Sequence, residues 1–263
     1  MLAIQNYLLP ETLEEAYKAL IEKRNNKILG GCGFLRMGSQ KIGTAIDLSN
    51  LNLDFIAEGE NIVEIGAMTT FRQVETSSVM KKYFDGILPK SVEHIVGVQL
   101  RNIVTVGATV YSRYGFSDFI TALLCLEAKV VLHSGGEILL EEFLKNGVER
   151  DILIKIIIPK SNRRAVFKMM RNSKSDYAIL NISVSKLDKD WKIVVGARPQ
   201  RAEIAKEASS YLTNSNETVE EIEHAAMLAV NELTFGSNMR GSKEYRRSIC
   251  KVLIKRAILE VLS

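Results

Sequence analysis

The chain has 263 residues, of which 46% are hydrophobic and 25% are charged, and its formal net charge is +4 at neutral pH. This ordinary globular composition can bury a core as one large domain or two smaller ones. Lys and Arg (35) nearly balance Asp and Glu (31), and the only dense basic cluster lies near the C-terminus at helical spacing: Arg246, Arg247, Lys251, Lys255 and Arg256. We therefore expect no nucleic-acid binding. The cluster is interpreted as a solvated helix face or as a face that docks a partner.

The three cysteines, Cys32, Cys125 and Cys250, lie far apart and form no C-x-x-C pair. The chain is therefore not expected to hold an iron–sulfur cluster or a structural zinc ion by itself. A scattered, odd set of cysteines favours a reducing compartment. No apolar run reaches the roughly 18 residues of a membrane span, and the first residues lack the pattern of a signal peptide. We therefore expect a cytoplasmic protein with no membrane span and no metal site of its own.

Residues 1–58 are predicted to form a small α/β unit. Thr12 is a candidate helix N-cap, because Glu15 follows three residues later and an apolar stripe begins between them. Short strands are expected at 27–29 and 44–48. The order strand, turn, segment and strand favours parallel pairing of the two strands.

Residues 59–160 are predicted to form a second, larger subdomain around a mixed sheet. Its expected strands are 61–67, 128–133, 138–140 and 152–158, and its expected helices start at Thr70 and cover 91–98 and 119–126. Residues 161–263 are predicted to form a C-terminal domain. It is expected to contain a three-stranded antiparallel sheet (163–171, 178–188 and 191–197) and a helical bundle (202–212, 218–233 and 243–262). The segment from Leu187 to Trp191 predicts a hairpin.

Two stretches place small residues directly against β-type residues: Leu29–Gly33 and Arg101–Thr109. Small residues let backbone N–H groups approach a phosphate with no side chain in the way. Neither stretch is a usual nucleotide loop, because the chain has no G-x-x-x-x-G-K-[ST] and Arg36 stands where a dinucleotide fingerprint needs a third small residue. Each turn alone is also consistent with a tight connection between elements.

Eight short segments occur in the order in which one known family carries its motifs. They are Leu29–Gly33 (A-G-G-T-D), Asp47-Leu48 (I-D-L), Ile65–Thr70 (I-G-A-x-T-T), Arg101–Thr109 (R-N-x-x-T-I-G-G-N), Ser117-Asp118 with Ala122-Leu123 (S-D…A-L), Ile157–Pro159 (I-x-I-P), Phe167-Lys168 with Tyr177-Ala178, and Glu244–Arg247 with Arg256-Ala257. Over almost its whole length the chain resembles the flavoprotein (medium) subunit of the molybdenum hydroxylases, the xanthine dehydrogenase and carbon monoxide dehydrogenase group.

The resemblance implies an α+β fold, an FAD cofactor and an oxidoreductase that is incomplete without other subunits. Electrons are expected to arrive from an iron–sulfur subunit, beside a molybdopterin-binding catalytic subunit, and to leave through FAD to NAD+ or another acceptor. No acid/base or nucleophilic group is expected in this chain, because the flavin carries the electrons. The FAD-contact positions carried over from the family are Ile28, Leu29, Gly30, Gly31, Cys32, Gly33, Phe34 and Leu35 in the first turn, Thr105, Val106, Gly107, Ala108 and Thr109 in the second, and Ile95, Asp118, Leu153 and Lys168.

The chain departs from the family pattern inside both turns. Cys32 and Gly33 replace the usual hydroxyl and carboxylate side chains, and Ala108 and Thr109 replace glycine and asparagine. If position 108 needs a positive φ, alanine costs roughly 1 kcal/mol there. Arg113 is a candidate for replacing lost phosphate contacts. Two alternatives therefore stay open: an assembly subunit that keeps the fold and has lost or weakened flavin binding, and a flavin oxidoreductase that acts alone on a small substrate.

Overall fold

The computed structural model describes residues 2–263, which form twelve strands and eleven α-helices. The strands are β1 (Ala3–Leu8), β2 (Lys27–Leu29), β3 (Lys41–Asp47), β4 (Ile56–Glu58), β5 (Ile62–Gly66), β6 (Lys129–Leu132), β7 (Gly136–Leu139), β8 (Leu153–Pro159), β9 (Arg164–Met170), β10 (Leu180–Leu187), β11 (Asp190–Gly196) and β12 (Glu203–Ile204). The helices are α1 (Leu13–Glu22), α2 (Phe71–Thr76), α3 (Ser78–Lys82), α4 (Ile87–Val92), α5 (Val98–Arg101), α6 (Val106–Ser112), α7 (Asp118–Leu124), α8 (Leu140–Asn146), α9 (Lys206–Thr213), α10 (Val219–Glu232) and α11 (Lys243–Leu262).

The first sheet is small and parallel, with strand order β1-β3-β2. The predicted parallel pairing of β2 with β3 is confirmed. Helix α1 begins where expected, because the Thr12 hydroxyl accepts a hydrogen bond from the amide of Glu15 (3.1 Å). Strand β1 was not predicted, since it is an exposed edge strand and its sequence carries no alternation of apolar and polar residues.

The second sheet has the order β4-β5-β8-β6-β7, and all four pairings are antiparallel. The expectation of a mixed sheet is therefore corrected. The predicted helix over 91–98 is also wrong. Helix α4 ends at Val92, and Val96 then adopts a left-handed conformation (φ +49°), which breaks the helix before α5 begins at Val98.

The third sheet is antiparallel, with the order β12-β11-β10-β9, and α9, α10 and α11 pack against it around Trp191 and Ile254. The hairpin prediction is confirmed, since Leu187 pairs with Asp190 across a two-residue turn. The sheet has a fourth strand, because β12 occupies the start of the predicted 202–212 helix. The predicted boundary near residue 161 stays a prediction, although β8 and β9 belong to different sheets.

The basic cluster near the C-terminus is solvated only in part: Lys251 and Arg256 are exposed, whereas Arg246 and Arg247 make contacts within the fold. The Arg246 side chain is 1% exposed and donates hydrogen bonds to the carbonyls of Ile179 (3.1 Å) and Ala197 (3.2 Å). Arg247 donates to the carbonyl of Val230 (2.7 Å). Arg246 therefore ties α11 to the loops beside the third sheet, and Arg247 ties it to α10. In addition, no helix within residues 2–263 is both long and apolar enough to cross a membrane.

Candidate functional site

The first glycine turn follows β2 and has the conformation that its residues predict. Gly31 and Cys32 are both left-handed (φ +67° and +55°). A Cβ atom on Gly31 would lie 1.6 Å from the carbonyl oxygen of Ile103. Only glycine fits this position, because the turn lies directly against the segment that precedes α6.

The turn presents unused backbone donors. Within residues 2–263, the amides of Gly31, Cys32, Gly33 and Phe34 donate no hydrogen bond to another group of the chain. Successive free N–H groups in a left-handed turn form a concave site for an anion. This turn is therefore suited to bind a pyrophosphate without a lysine.

The second stretch is arranged differently, because its amides are already engaged. The amide of Val106 donates to the carbonyl of Thr69 and that of Gly107 to the carbonyl of Ala67, both at 2.8 Å. The Thr105 hydroxyl caps α6 by accepting from the amide of Ala108 (3.3 Å). A phosphate contact from this stretch would therefore have to come from side chains.

Ala108 lies inside α6 and does not have a positive φ. The free-energy cost that alanine would have at a positive φ therefore does not apply to Ala108. The Thr109 hydroxyl donates to the carbonyl of Thr105 (3.0 Å). A Cβ atom on Gly30 would lie 2.7 Å from the Ala108 Cβ. Helix α6 thus supports the first turn from behind.

Both stretches border one cavity of about 380 Å³. Ten of the seventeen predicted positions line it: Ile28, Gly30, Cys32, Gly33, Phe34, Leu35, Ile95, Ala108, Thr109 and Asp118. Another five, Leu29, Gly31, Thr105, Val106 and Gly107, belong to the same two stretches behind the wall of the cavity. A volume of this size lies within the range of small-molecule sites.

The structure does not bring the remaining two predicted positions to the cavity. Leu153 lies in β8, is buried and pairs with Leu132 of β6. Lys168 lies in β9 and forms an ion pair with Glu260 of α11. Arg113 also faces away, since its guanidinium lies 5.7 Å from the ring centre of Phe143 and borders a separate cleft.

Asp118 is buried at one wall of the cavity, in an ion pair with Arg171. Asn181 donates a hydrogen bond to its Oδ1 atom (2.6 Å), and Asn181 accepts one from the Thr121 hydroxyl (2.9 Å). Burial raises the pKa of Asp118 to about 6, although the Arg171 charge opposes that shift. The carboxyl group is thus oriented by two partners from the C-terminal part of the chain, Arg171 and Asn181.

Phe34 was predicted, but three other aromatic side chains at the cavity were not: Tyr114, Phe116 and Tyr177. The rings of Phe34 and Tyr114 lie 5.3 Å apart, Tyr114 and Phe116 are stacked at 4.9 Å, and Tyr177 meets Phe116 edge-on at 4.7 Å. All four line the cavity. Such rings offer apolar contact to a planar ligand. The sequence signal that could have indicated them is the pair of aromatic residues in Tyr114-Gly115-Phe116, directly before Ser117-Asp118.

Comparison with known proteins assigns this fold to a family. Residues 2–161 match the sequence model described as the FAD binding domain in molybdopterin dehydrogenase. Residues 165–261 match the CO dehydrogenase flavoprotein C-terminal domain. The chain belongs to this family of flavoproteins. The resemblance, the α+β fold class, FAD as the cofactor and the role of an oxidoreductase component are thereby confirmed.

Individual relatives are distant and cover almost the whole chain. The nicotine 6-hydroxylase medium subunit of Paenarthrobacter nicotinovorans is 24% identical, over 97% of this chain and 96% of the relative. The glyceraldehyde dehydrogenase medium chain of Sulfolobus acidocaldarius is also 24% identical, over 97% and 98%. Among solved structures, a carbon monoxide dehydrogenase chain from Hydrogenophaga pseudoflava superposes with a TM-score of 0.90 at 21% identity, over 98% and 96% of the two chains. This structural likeness shows the same fold.

Proposed function

We propose that the chain is the FAD-binding electron-transfer subunit of a molybdenum hydroxylase complex. It receives electrons from an iron–sulfur subunit and passes them through FAD to NAD+ or another acceptor, while a molybdopterin-binding subunit holds the substrate. The observation that carries the proposal is the row of four free amides, Gly31–Phe34, beside the cavity. The medium-subunit names of the relatives support a complex of several chains.

When bound, FAD supplies the electron-carrying chemistry, and the protein binds and orients it. The amides of Gly31–Phe34 neutralise the pyrophosphate. Asp118, held by Arg171 and Asn181, accepts a hydrogen bond from a sugar or ribityl hydroxyl. The aromatic rings at the cavity contact a planar ring of the cofactor. The three cysteines are separate free thiols, which supports a reducing compartment, and we place the chain in the cytoplasm.

A titration of the full-length chain with FAD tests this proposal. We expect binding at micromolar FAD or below, read from flavin fluorescence and from the visible flavin absorbance. FMN should bind much more weakly, because it lacks the pyrophosphate that the first turn recognises. Arg113→Ala serves as a matched control and should bind FAD like the parent, since Arg113 borders the other cleft. A colourless chain that binds no FAD at micromolar concentration would refute the proposal.

One observation favours the second candidate, an assembly subunit with weakened flavin binding. The amides of Val106 and Gly107 are used within the chain, so the second stretch offers no such donors to a phosphate. This candidate predicts a colourless chain that still co-purifies with iron–sulfur and molybdenum subunits. The same titration, carried out on the isolated chain, separates the two candidates. Bleaching of the bound flavin by NADH would identify NAD+ as the acceptor.

A further inference from the structure

Helix α11 keeps one side in solvent, which we name the outer face: Tyr245, Lys251, Val252, Lys255, Arg256 and Leu259. Its apolar side chains recur every seven residues, at Tyr245 (44% exposed), Val252 (45%) and Leu259 (41%). Seven residues make close to two turns of an α-helix, so these three side chains lie along one line. Exposed apolar residues that are scattered singly are ordinary, whereas a continuous line of them marks a contact surface.

The outer face is basic. From Tyr245 to Leu259 the chain has five Lys or Arg residues and no Asp or Glu. Arg246 is buried, and Arg247 contacts α10. Lys251 and Arg256 are exposed, and neither forms an ion pair within residues 2–263. These two cations lie on either side of the apolar line.

The acidic residues around the outer face do not cancel its charge. Three of them are already in ion pairs: Glu244 with Lys243 (3.8 Å between Nζ and Oε1), Glu223 of α10 with Lys255 (2.6 Å between Nζ and Oε1), and Glu260 with Lys168 of β9. Glu220, about one turn before Glu223 on α10, forms no ion pair within residues 2–263. With Lys251 and Arg256 against this one carboxylate, the surface stays positive.

A lipid surface fits this face better than a protein partner does. Lysine is depleted at protein interfaces, and the binding energy of such interfaces comes mainly from side chains held in pockets. Neither of the two cavities described above is lined by a residue of α11. Cations that flank exposed apolar side chains on a helix are typical of proteins that lie on an anionic bilayer.

We propose that the outer face of α11 attaches the chain to the surface of an anionic membrane as a peripheral contact. Lys251 and Arg256 pair with lipid phosphates, while Val252 and Leu259 enter the boundary between head groups and acyl chains. The opposite side of α11 stays buried against the third sheet around Ile254, so the contact is confined to the outer face. This attachment does not depend on FAD, because no residue of α11 lines the flavin cavity.

The test measures how the full-length chain sediments with lipid vesicles. Vesicles of phosphatidylglycerol and phosphatidylcholine in equal parts present an anionic surface, and vesicles of phosphatidylcholine alone are the neutral comparison. The double variant Lys251→Gln/Arg256→Gln removes the two unpaired cations. Lys81→Gln/Lys90→Gln is the matched control, because both lysines are exposed in the last turns of α3 and α4 and form no ion pair within residues 2–263.

We expect the parent to sediment with the anionic vesicles at low salt and to be released at high salt, because salt screens exposed charges. It should not sediment with the neutral vesicles. Lys251→Gln/Arg256→Gln should bind the anionic vesicles about thirtyfold more weakly, since each cation near such a surface contributes roughly a factor of five. The control should bind like the parent. A parent that stays in solution, or equal binding by the two double variants, would overturn the proposal. Binding of an acidic protein by a parent that ignores vesicles would likewise overturn it.

A tryptophan reporter tests insertion separately from charge. The only natural tryptophan, Trp191, is buried. The emission of Val252→Trp should therefore shift to shorter wavelength when anionic vesicles are added, because the new indole moves from water into the membrane interface. Ile21→Trp in α1 is the control, since Ile21 is also half exposed (50%) and its variant should show no shift. Unshifted emission from Val252→Trp would contradict the contact between α11 and the bilayer.

Discussion

Gly31→Ala is the substitution that most directly tests the glycine turn. Alanine in the left-handed region costs about 1–2 kcal/mol. In addition, its Cβ would lie 1.6 Å from the carbonyl oxygen of Ile103, whereas an ordinary carbon–oxygen contact is about 3.3 Å. The turn must therefore move by roughly 1.7 Å relative to that carbonyl.

Such a movement displaces the free amides that follow Gly31. A hydrogen bond to a charged group is worth about 1.5–3 kcal/mol. If two of the four donors lose the pyrophosphate, the loss is at least about 3 kcal/mol, which corresponds to roughly a hundredfold weaker FAD binding. The midpoint of thermal unfolding should fall by about 2–4 °C for each kcal/mol of backbone cost.

The assay is a fluorescence titration with FAD, paired with thermal unfolding of the cofactor-free chain. Gly136→Ala is the matched control, because Gly136 is also left-handed (φ +68°) but a Cβ there meets nothing within 4 Å. The left-handed alanine should lower the stability of this control by a comparable amount, and the control should keep the FAD affinity of the parent. Equal FAD affinity in Gly31→Ala and Gly136→Ala would refute the assignment of the turn to the pyrophosphate.

Three other outcomes are expected. In the native chain a thiol reagent should modify only Cys32, because the other two cysteines are buried. Bound FAD should slow that reaction. Since burial raises the pKa of Cys32, the rate of modification should increase above neutral pH. Ala108→Gly should lower the free energy of unfolding by about 1 kcal/mol, the difference in helix propensity, and a simultaneous loss of FAD affinity would show that the Ala108 methyl group contacts the ligand. The hydrogen bond from Tyr83 lowers the pKa of Glu58 to about 2. The ionised Glu58 carboxylate therefore stabilises the fold above the ordinary Glu pKa, and this stabilisation is lost as the pH falls toward 2. Glu58→Gln should show a smaller drop in unfolding temperature over that pH range than the parent does.

Local signals explain what could be predicted from the sequence. The glycine turn, the Thr12 cap and the hairpin at Leu187 depend on neighbouring residues, and the structure has all three. Tertiary contacts explain what could not be predicted from the sequence. The position of Lys168 depends on Glu260, which is 92 residues away in the chain. Likewise, the engaged amides of α6 depend on carbonyls of the segment after β5, which no pattern within Arg101–Thr109 encodes.

The left-handed Val96 shows a different limit. A periodic apolar pattern over 91–98 predicts a helix, because the spacing alone fits one. The structure instead ends α4 at Val92, and the Arg101 contact with the carbonyl of Ile95 fixes the following loop in a non-helical conformation. That contact is only apparent when the fold is known. The loop at Val96 was therefore beyond the reach of sequence reasoning.

The ion pair between Asp118 and Arg171 has a consequence for the order of events during synthesis. Both glycine turns and Asp118 leave the ribosome before β9, whereas Arg171, Tyr177 and Asn181 follow it. N-terminal parts of a chain fold first during translation. The cavity wall thus stays incomplete until β10 has emerged and joined its sheet. We therefore expect a chain truncated after residue 160 to bind FAD more weakly than the full chain, because it lacks Arg171 and Tyr177 at the cavity.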